Sequence, residues 1–148
     1  MTGEKQEFET YFFQNREAVC RNLYDRASEK AVTAYAPYSG FHVGAALLCK
    51  DGTIFEGINI ENAAFGAGLC AERTAAAAAI NENRRDFLAI AVAAVEGGVL
   101  KEAPPCGICR QFLYEFGSDL TVVFGRDRDH LKLYCIDELL PEGFRLEE

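Results

Sequence analysis

Two short cysteine motifs constrain this chain more than any other feature. Cys70 opens the segment Cys-Ala-Glu-Arg, and 36 residues later the segment Pro-Cys-Gly-Ile-Cys supplies Cys106 and Cys109. Three thiolates can hold one zinc ion, and zinc with only three protein ligands keeps an open position for water. Glu72, two residues after the first cysteine, is then placed to move protons. The pattern predicts a fold that brings both motifs together around one catalytic Zn²⁺ per chain.

Length and charge narrow the classes of protein that fit. The chain has 148 residues, which predicts a single domain over 1–148, and a net charge of −8. An acidic protein repels phosphates, so we expect no nucleic-acid partner and no binding to an anionic membrane surface. The polar N-terminal residues 1–7 lack the pattern of a secretory signal, and the longest apolar stretch, residues 87–95, is too short to span a bilayer. With six cysteines as metal ligands or free thiols, we expect a cytoplasmic protein.

The pattern of apolar residues predicts a three-layer α/β/α domain. Fourfold spacing from Phe8 to Ala31 predicts one long opening helix that Pro37 terminates. Further elements are a hairpin around Asp51-Gly52, helices starting at Cys70 and Cys106, and strands over 87–95, 121–124 and 131–135. The link 125–130 is too short for a crossover, so the last two strands should be antiparallel neighbours in a mixed five-stranded sheet.

Both cysteine motifs fall at predicted helix starts. The positive end of a helix favours a thiolate over a thiol, and thiolate is the form that binds metal. Three thiolates on Zn²⁺ leave a net charge of −1, so nearby positive charge must offset it. Arg73, next to Glu72, is the natural source through hydrogen bonds to sulfur. Cys20, Cys49 and Cys135 lie in apolar surroundings and are predicted to be buried core thiols.

Two other interpretations of the cysteines need weighing. Cys106 and Cys109 alone could form a redox pair at a helix start, but that leaves the Cys-Ala-Glu segment unexplained. A closed structural zinc site would need a fourth ligand, for which His42, His130 or Cys135 are the candidates. None of these has ligand-like spacing to the motif cysteines, which favours the open site.

The residues around the motifs closely resemble the small homotetrameric, zinc-dependent cytidine deaminases. A first ligand, Glu two residues on, then Pro-Cys-x-x-Cys is the signature of zinc nucleobase deaminases, and the resemblance extends from the first helix to Phe144. The matching segments are residues 36–48 (APYSGFHVGAALL), 57–63 (GINIENA), 70–75 (CAERTA), 105–111 (PCGICRQ) and 138–141 (ELLP). The resemblance implies a cytidine deaminase-like fold and a place in pyrimidine salvage: cytidine or deoxycytidine plus water gives uridine or deoxyuridine plus ammonia.

The resemblance also assigns roles to residues around the base. Zinc held by the three motif cysteines would activate water for attack at C4, and Glu72 would pass protons from the water to N3 and to the departing amine. Phe41 would pack against the pyrimidine, the backbone N–H of Ala71 would hold the base carbonyl, and the backbone carbonyl of Pro104 would receive the amine. The family usually has serine where this chain has Pro104.

Further roles concern the sugar and neighbouring subunits. By resemblance, Asn59 and Glu61 would hydrogen-bond the ribose, so the substrate is a nucleoside rather than a free base. Phe144 would cover the site of a neighbouring subunit, and Phe65, where a tyrosine is common, would approach a neighbour's site without a hydroxyl. The implied assembly is a homotetramer.

Three competing functions remain at this level. A related deaminase acting on a nucleoside antibiotic such as blasticidin S would share the chemistry, but residues 59–62 (Asn-Ile-Glu-Asn) favour cytidine. A non-catalytic zinc protein of this fold has no use for Glu72. A polynucleotide-editing deaminase is disfavoured by the acidic chain.

Overall fold

The structure, a computed structural model, describes residues 2–146. The five helices of this range are α1 (Thr2–Gln14), α2 (Arg16–Ala31), α3 (Ala71–Asn81), α4 (Gly107–Tyr114) and α5 (Ile136–Leu139), with a 3₁₀ turn at Phe65–Ala67. The strands are β1 (Phe41–Cys49), β2 (Ile54–Ile58), β3 (Phe87–Glu96), β4 (Val99–Lys101), β5 (Thr121–Gly125) and β6 (Leu131–Cys135). No helix in the described range is long and apolar enough to cross a membrane.

These strands form one mixed sheet in the order β2-β1-β3-β5-β6. β1 is antiparallel to β2 and β3, β3 and β5 are parallel, and β5 and β6 are antiparallel as predicted. The sheet has six strands rather than five, because β4 pairs with the end of β3. The connecting Gly97 and Gly98 both have positive φ (59° and 77°), which suits a tight hairpin turn.

Two apolar cores lie on opposite faces of the sheet, which confirms the predicted three layers. Alternate residues of β1 point to opposite sides: Ala45 and Leu47 join the core under α3, α4 and α5, whereas Ala46 and Leu48 join the core under α1 and α2. β3 is buried over its first eight residues, as expected for a central strand covered on both faces.

The prediction of one long opening helix was wrong. The helix breaks at Asn15 and resumes at Arg16, and it ends at Ala31, well before Pro37. The side chain of Asn15 donates a 2.9 Å hydrogen bond to the Tyr11 carbonyl oxygen, competing with the regular helical ladder. Both pieces still bury their apolar faces on the same core, which explains why the spacing resembled one helix.

Two glycines let helices lie directly on the sheet. A Cβ on Gly44 of β1 would overlap the backbone of Ala27 and Ala31 in α2. A Cβ on Gly57 of β2 would likewise overlap the backbone of Ala71 and Ala75 in α3. The second contact matters for function because it sets the height of the α3 N-terminus, which carries the first motif cysteine.

Candidate metal and active site

The ends of α3 and α4 bring the three motif cysteines together. Cys70 and Cys106 are the N-cap residues of the two helices, both with extended backbone, and Cys109 is buried in the first turn of α4. The three Sγ atoms all lie within 4.8 Å of one another, and those of Cys70 and Cys106 are 3.7 Å apart. The predicted convergence of the two motifs is therefore present in the fold.

This sulfur cluster fits a tetrahedral metal ion. Two sulfurs bonded to one zinc at 2.3 Å are about 3.8 Å apart in tetrahedral geometry, close to the observed separation. Thiolates are the soft ligands that such an ion prefers. Within residues 2–146, no fourth His, Cys, Asp or Glu joins the group. Three protein sulfurs thus leave one position of the tetrahedron free of protein.

The candidate fourth ligands are engaged elsewhere. His42 Nδ1 lies 3.0 Å from the Gly40 carbonyl oxygen, and His130 Nδ1 lies 2.8 Å from a carboxylate oxygen of Asp127. The thiol of Cys135 donates to the Ser118 carbonyl oxygen at 3.0 Å. Cys135 is half-buried, so its prediction as a buried core thiol was wrong, whereas Cys20 and Cys49 are buried as predicted.

Glu72 is a buried acid beside the sulfur cluster. Its side chain lies in the first turn of α3, and the residue is only 3% exposed. Burial raises the pKa of this carboxyl group to about 7 in the metal-free chain. A group with a pKa near neutrality can both take up and release a proton, which is what a proton shuttle requires.

Arg73 lies beside the sulfur cluster. Its Nη2 lies 3.7 Å from Cys70 Sγ, and its Nε is buried without a protein partner among the described residues. Hydrogen bonds from the Cys109 thiol and from this guanidinium lower the pKa of Cys70. Positive charge therefore reaches the sulfurs from a side chain as well as from the helix ends.

A cavity of about 370 Å³ opens on the cluster. Phe41, Ala71, Glu72 and Pro104 all line it, so the residues predicted to surround the base share one space. The volume lies in the range of small-molecule sites. Sequence reasoning missed Glu102, which lines the same cavity and binds Lys132 through both carboxylate oxygens at 3.1–3.2 Å.

A second cavity of about 660 Å³ adjoins the first. Asn59 and Cys70 line both spaces, whereas Glu61, Phe65 and Arg73 line only the larger one. A ligand that fills the smaller cavity can therefore extend past Asn59 towards Glu61.

Comparison with known proteins agrees with this geometry. Residues 19–126 match the family described as the cytidine and deoxycytidylate deaminase zinc-binding region. The chain belongs to this family. The cytidine deaminase of Halalkalibacterium halodurans is 47% identical over 116 residues, covering 78% of this chain and 86% of that protein. A probable cytidine deaminase of Dictyostelium discoideum is 42% identical over 126 residues, covering 84% and 82% of the two chains.

Other relatives bear on the alternative substrate and on the fold. The blasticidin-S deaminase of Bacillus cereus is more distant, at 29% identity over 125 residues, with 80% of this chain and 87% of that protein covered. The crystal structure of cytidine deaminase from Burkholderia pseudomallei superposes with a TM-score of 0.76 at 40% identity, covering 83% of this chain and 97% of that one. The cytidine deaminase structure from Mycobacterium tuberculosis gives 0.72 at 37% identity, covering 84% and 95%. These neighbours confirm the predicted cytidine deaminase-like fold.

Asn59 and Glu61 are fixed by the chain itself. The amide of Asn59 accepts from the Val43 N–H at 2.8 Å and donates to the Phe41 carbonyl oxygen at 2.9 Å. Glu61 accepts from the backbone N–H of Tyr38 and from both the N–H and the hydroxyl of Ser39, at 2.5–3.1 Å. The hydrogen bonds from Ser39 are the main reason that the pKa of Glu61 lies below its ordinary value.

Phe65 and Phe144 lie on the surface of the chain. Phe65 is 82% exposed and makes an edge contact with Tyr38 at 6.3 Å between ring centroids. Phe144 is 64% exposed, and its carbonyl oxygen accepts a hydrogen bond from Gln111 Nε2 at 3.1 Å. Phe144 lines neither of the two cavities described above, so within one chain it is not part of the site.

Proposed function

We propose that this chain catalyses the zinc-dependent hydrolytic deamination of cytidine and deoxycytidine to uridine and deoxyuridine, with release of ammonia. The observation that carries the proposal is the convergence of three cysteine sulfurs and a buried glutamate on one cavity. The cytidine deaminases named among its relatives, up to 47% identical, support cytidine as the substrate.

Cys70, Cys106 and Cys109 would hold the zinc ion. When bound, zinc lowers the pKa of a water in the open position and so supplies a nucleophile at neutral pH. Arg73 would balance the negative charge of three thiolates through its contact with Cys70 Sγ. Each of these roles uses a donor atom already in place.

Glu72 would carry protons during the reaction. It would take a proton from the attacking water and deliver it to N3 of the base. It would then take the remaining proton from the new hydroxyl group at C4 and pass it to the departing amine, so that ammonia leaves as the C4 carbonyl forms. Burial raises the pKa of this carboxyl group, which makes it a stronger base, and keeps competing water away from the transfers. The same carboxyl group thus serves as base and then as acid.

The base would lie between Phe41 and the segment that carries Pro104. Ala71 is the first residue of α3, so its N–H has no partner within the helix and is free to donate to the base carbonyl. Pro104 lacks an N–H but keeps its carbonyl, which would accept a hydrogen bond from the departing amine. The proline in place of serine therefore retains the group needed.

The ribose would bind at Asn59 and Glu61, where the two cavities meet. An amide has two N–H groups and two acceptor positions, and Asn59 uses one of each within the chain. A carboxylate has about four acceptor positions, of which three serve Tyr38 and Ser39 in Glu61. Each side chain can still bond one hydroxyl without leaving its anchored position. The charge of Glu61 would disfavour a nearby phosphate.

A homotetramer would complete the site. Large apolar side chains are exposed around the larger cavity, which is unusual for a surface that faces only water. They are Tyr38 (58%), Phe65 (82%), Leu69 (44%), Ile108 (66%) and, on the C-terminal segment, Phe144 (64%). A neighbouring copy would cover them and supply Phe144 to this site. Sedimentation tests this assembly: a fully active monomer at micromolar concentration would contradict it.

We also propose that the protein acts in the cytoplasm and that its reaction is one step of pyrimidine salvage. The three clustered thiols must stay reduced to bind metal, which a reducing compartment ensures. Cell fractionation with an antibody against the native protein tests this placement.

The deciding experiment measures ammonia and uridine from cytidine with the purified, zinc-loaded protein. We expect turnover by the wild type and none detectable from Glu72→Ala with the same zinc content. Blasticidin S in a parallel assay separates the alternative substrate, because a higher kcat/KM on the antibiotic would overturn the choice of cytidine.

A further inference from the structure

Arg110 of α4 makes two hydrogen bonds to backbone carbonyl groups. Its Nε donates to the Pro105 oxygen at 2.8 Å, and its Nη1 donates to the Leu139 oxygen at 2.9 Å. We propose that Arg110 is a positioning residue for deamination, which holds the Pro104–Cys106 segment so that the Pro104 carbonyl meets the departing amine. This inference rests on the function proposed above.

Few backbone rotations are free in the Pro104–Cys106 segment. The ring of Pro105 fixes its φ, and the hydrogen bond from Arg110 to the Pro105 carbonyl restrains its ψ. The ring of Pro104 fixes φ there, and the following proline restricts its ψ. All four rotations between residues 104 and 106 are then restrained. The Pro104 carbonyl therefore has little freedom to turn relative to Cys106, a metal-ligand candidate.

Buried and exposed residues alternate along the segment. Ala103 and Pro105 are buried, whereas Glu102, Pro104 and Cys106 are exposed; Ala103 lines the smaller cavity together with these three. This alternation is that of an extended chain, which presents every second residue to one side. Two consecutive prolines remove two N–H groups that could otherwise tie the segment to its neighbours. Beside the packing of Ala103 and Pro105, a hydrogen bond to a carbonyl from outside the segment then gives it a polar anchor.

The guanidinium itself is held by its second hydrogen bond. A long side chain restrains another group only if its own end is fixed, and the bond to the last residue of α5, Leu139, does this. The planar fork of arginine reaches two carbonyls at once in fixed geometry. Lysine carries the charge but not the fork, so Arg110→Lys should restore only part of the restraint.

A purely structural clamp between α4 and α5 is the competing explanation. Such a clamp would lower stability when removed without a selective effect on the chemical step. Positioning of a carbonyl predicts a lower kcat at nearly constant KM, because the carbonyl bonds the amine as it departs rather than the bound substrate.

The first experiment compares wild type, Arg110→Gln, Arg110→Lys and the control Arg128→Gln. Arg128 donates two hydrogen bonds of 3.0 Å to Asp25 and lines neither cavity, so its replacement also removes two arginine hydrogen bonds, here from an exposed position. For Arg110→Gln we expect one zinc per chain, a kcat on cytidine about tenfold lower, and KM within about threefold of wild type. The kcat of Arg110→Lys should lie between those of wild type and Arg110→Gln, and the kcat of Arg128→Gln should match that of wild type.

Hydrogen exchange gives a readout independent of turnover. The backbone amide of residue 110 donates to the Cys106 carbonyl oxygen at 2.9 Å, so it reports on the Pro104–Cys106 segment. Corrected for the intrinsic rate of the new side chain, it should exchange faster in Arg110→Gln than in wild type, and at the wild-type rate in Arg128→Gln. An unchanged kcat in Arg110→Gln, or a loss of kcat in proportion to lost zinc, overturns the proposal.

Pro105→Ala provides a second route that does not depend on the folding of Arg110→Gln. This variant frees φ at residue 105 and should also lower kcat selectively. In the double variant the two losses should not add, since both act on one peptide group. An unchanged kcat in Pro105→Ala, or full additivity, would refute the shared restraint. A zinc-loaded wild type that makes no uridine refutes the proposed function instead.

Discussion

Arg73 Nη2 lies 3.7 Å from the Sγ atom of Cys70. Cys70 is the N-cap of α3, and Arg73 lies one turn further along the same helix. The first metal-ligand candidate and the positively charged guanidinium beside it therefore belong to one helix and its cap. No movement of another part of the chain is needed to bring them together.

Replacing Arg73 with glutamine should shift the pH dependence of catalysis. Loss of a positive charge within about 4–6 Å favours the protonated form of every acid in the site, so the acid limb of kcat/KM against pH should move up by about one unit. Arg73→Lys, which keeps the charge, should shift less. Identical profiles for wild type and Arg73→Gln would show that the contact has no electrostatic role.

Glu72→Gln should change how the stability of the metal-free protein depends on pH. The pKa of Glu72 rises from its ordinary value of 4.5 to about 7 on folding, so the native state holds this proton more tightly than the unfolded state. The contribution to stability is full below pH 4.5 and is lost as pH rises through about 7. Glutamine has no such component.

Denaturant unfolding of chelator-treated protein at pH 5 and pH 8 measures this effect. Between these pH values, the free energy of unfolding of wild type should fall by roughly 2 to 3 kcal/mol relative to Glu72→Gln. Other titrating groups are common to both proteins and cancel in the difference. A constant difference would mean that the Glu72 carboxyl group is hydrated in the metal-free state.

Local patterns in the sequence were enough to predict most of the helices and strands and the cysteine cluster. The cysteines lie at helix starts, which Pro105 and the alanine-rich run from Ala75 predict. The continuous apolar composition of residues 87–95 predicts β3. The short link between β5 and β6 was enough to set their antiparallel pairing. Each of these features depends on neighbouring residues in the sequence.

What the sequence missed depends on distant partners or on weak turns. Arg110 bonds a carbonyl 29 residues away, and Glu61 is fixed by Ser39, 22 residues earlier. No periodicity reports such bonds. The Gly97-Gly98 turn before β4 did carry a hairpin signal, but the strand after it has only three residues.

Gly57→Ala should disturb the site through the packing of α3. The new Cβ would overlap the backbone of Ala71 and Ala75, and backbone cannot move aside as a side-chain end can. Overpacking of this kind costs about 1–3 kcal/mol, and the helix shift should also displace Cys70 and weaken zinc binding. Thermal unfolding and a zinc competition assay measure the two effects.

Gly3→Ala is the matched control for this change. A Cβ at Gly3 meets no atom within 4 Å, and alanine favours the helix in which it lies. Zinc affinity should stay at the wild-type value and stability should not fall. Equal losses in both variants would mean that α3 does not depend on close contact with β2.

Cys106→Ser and Cys135→Ser form a pair that separates metal binding from helix capping. Both cysteines are N-cap residues with extended backbone, at the starts of α4 and α5, and serine is a better N-cap than most residues. Neither variant should lose its helix. Of these two residues, Cys106 alone contributes a sulfur to the cluster, so Cys106→Ser should lose bound zinc and the deamination of cytidine, whereas Cys135→Ser should keep both.

Mass spectrometry under native conditions measures the zinc content, and uridine formation measures the activity. If Cys106→Ser kept one zinc per chain, or if Cys135→Ser lost it, the ligand set of Cys70, Cys106 and Cys109 would be wrong.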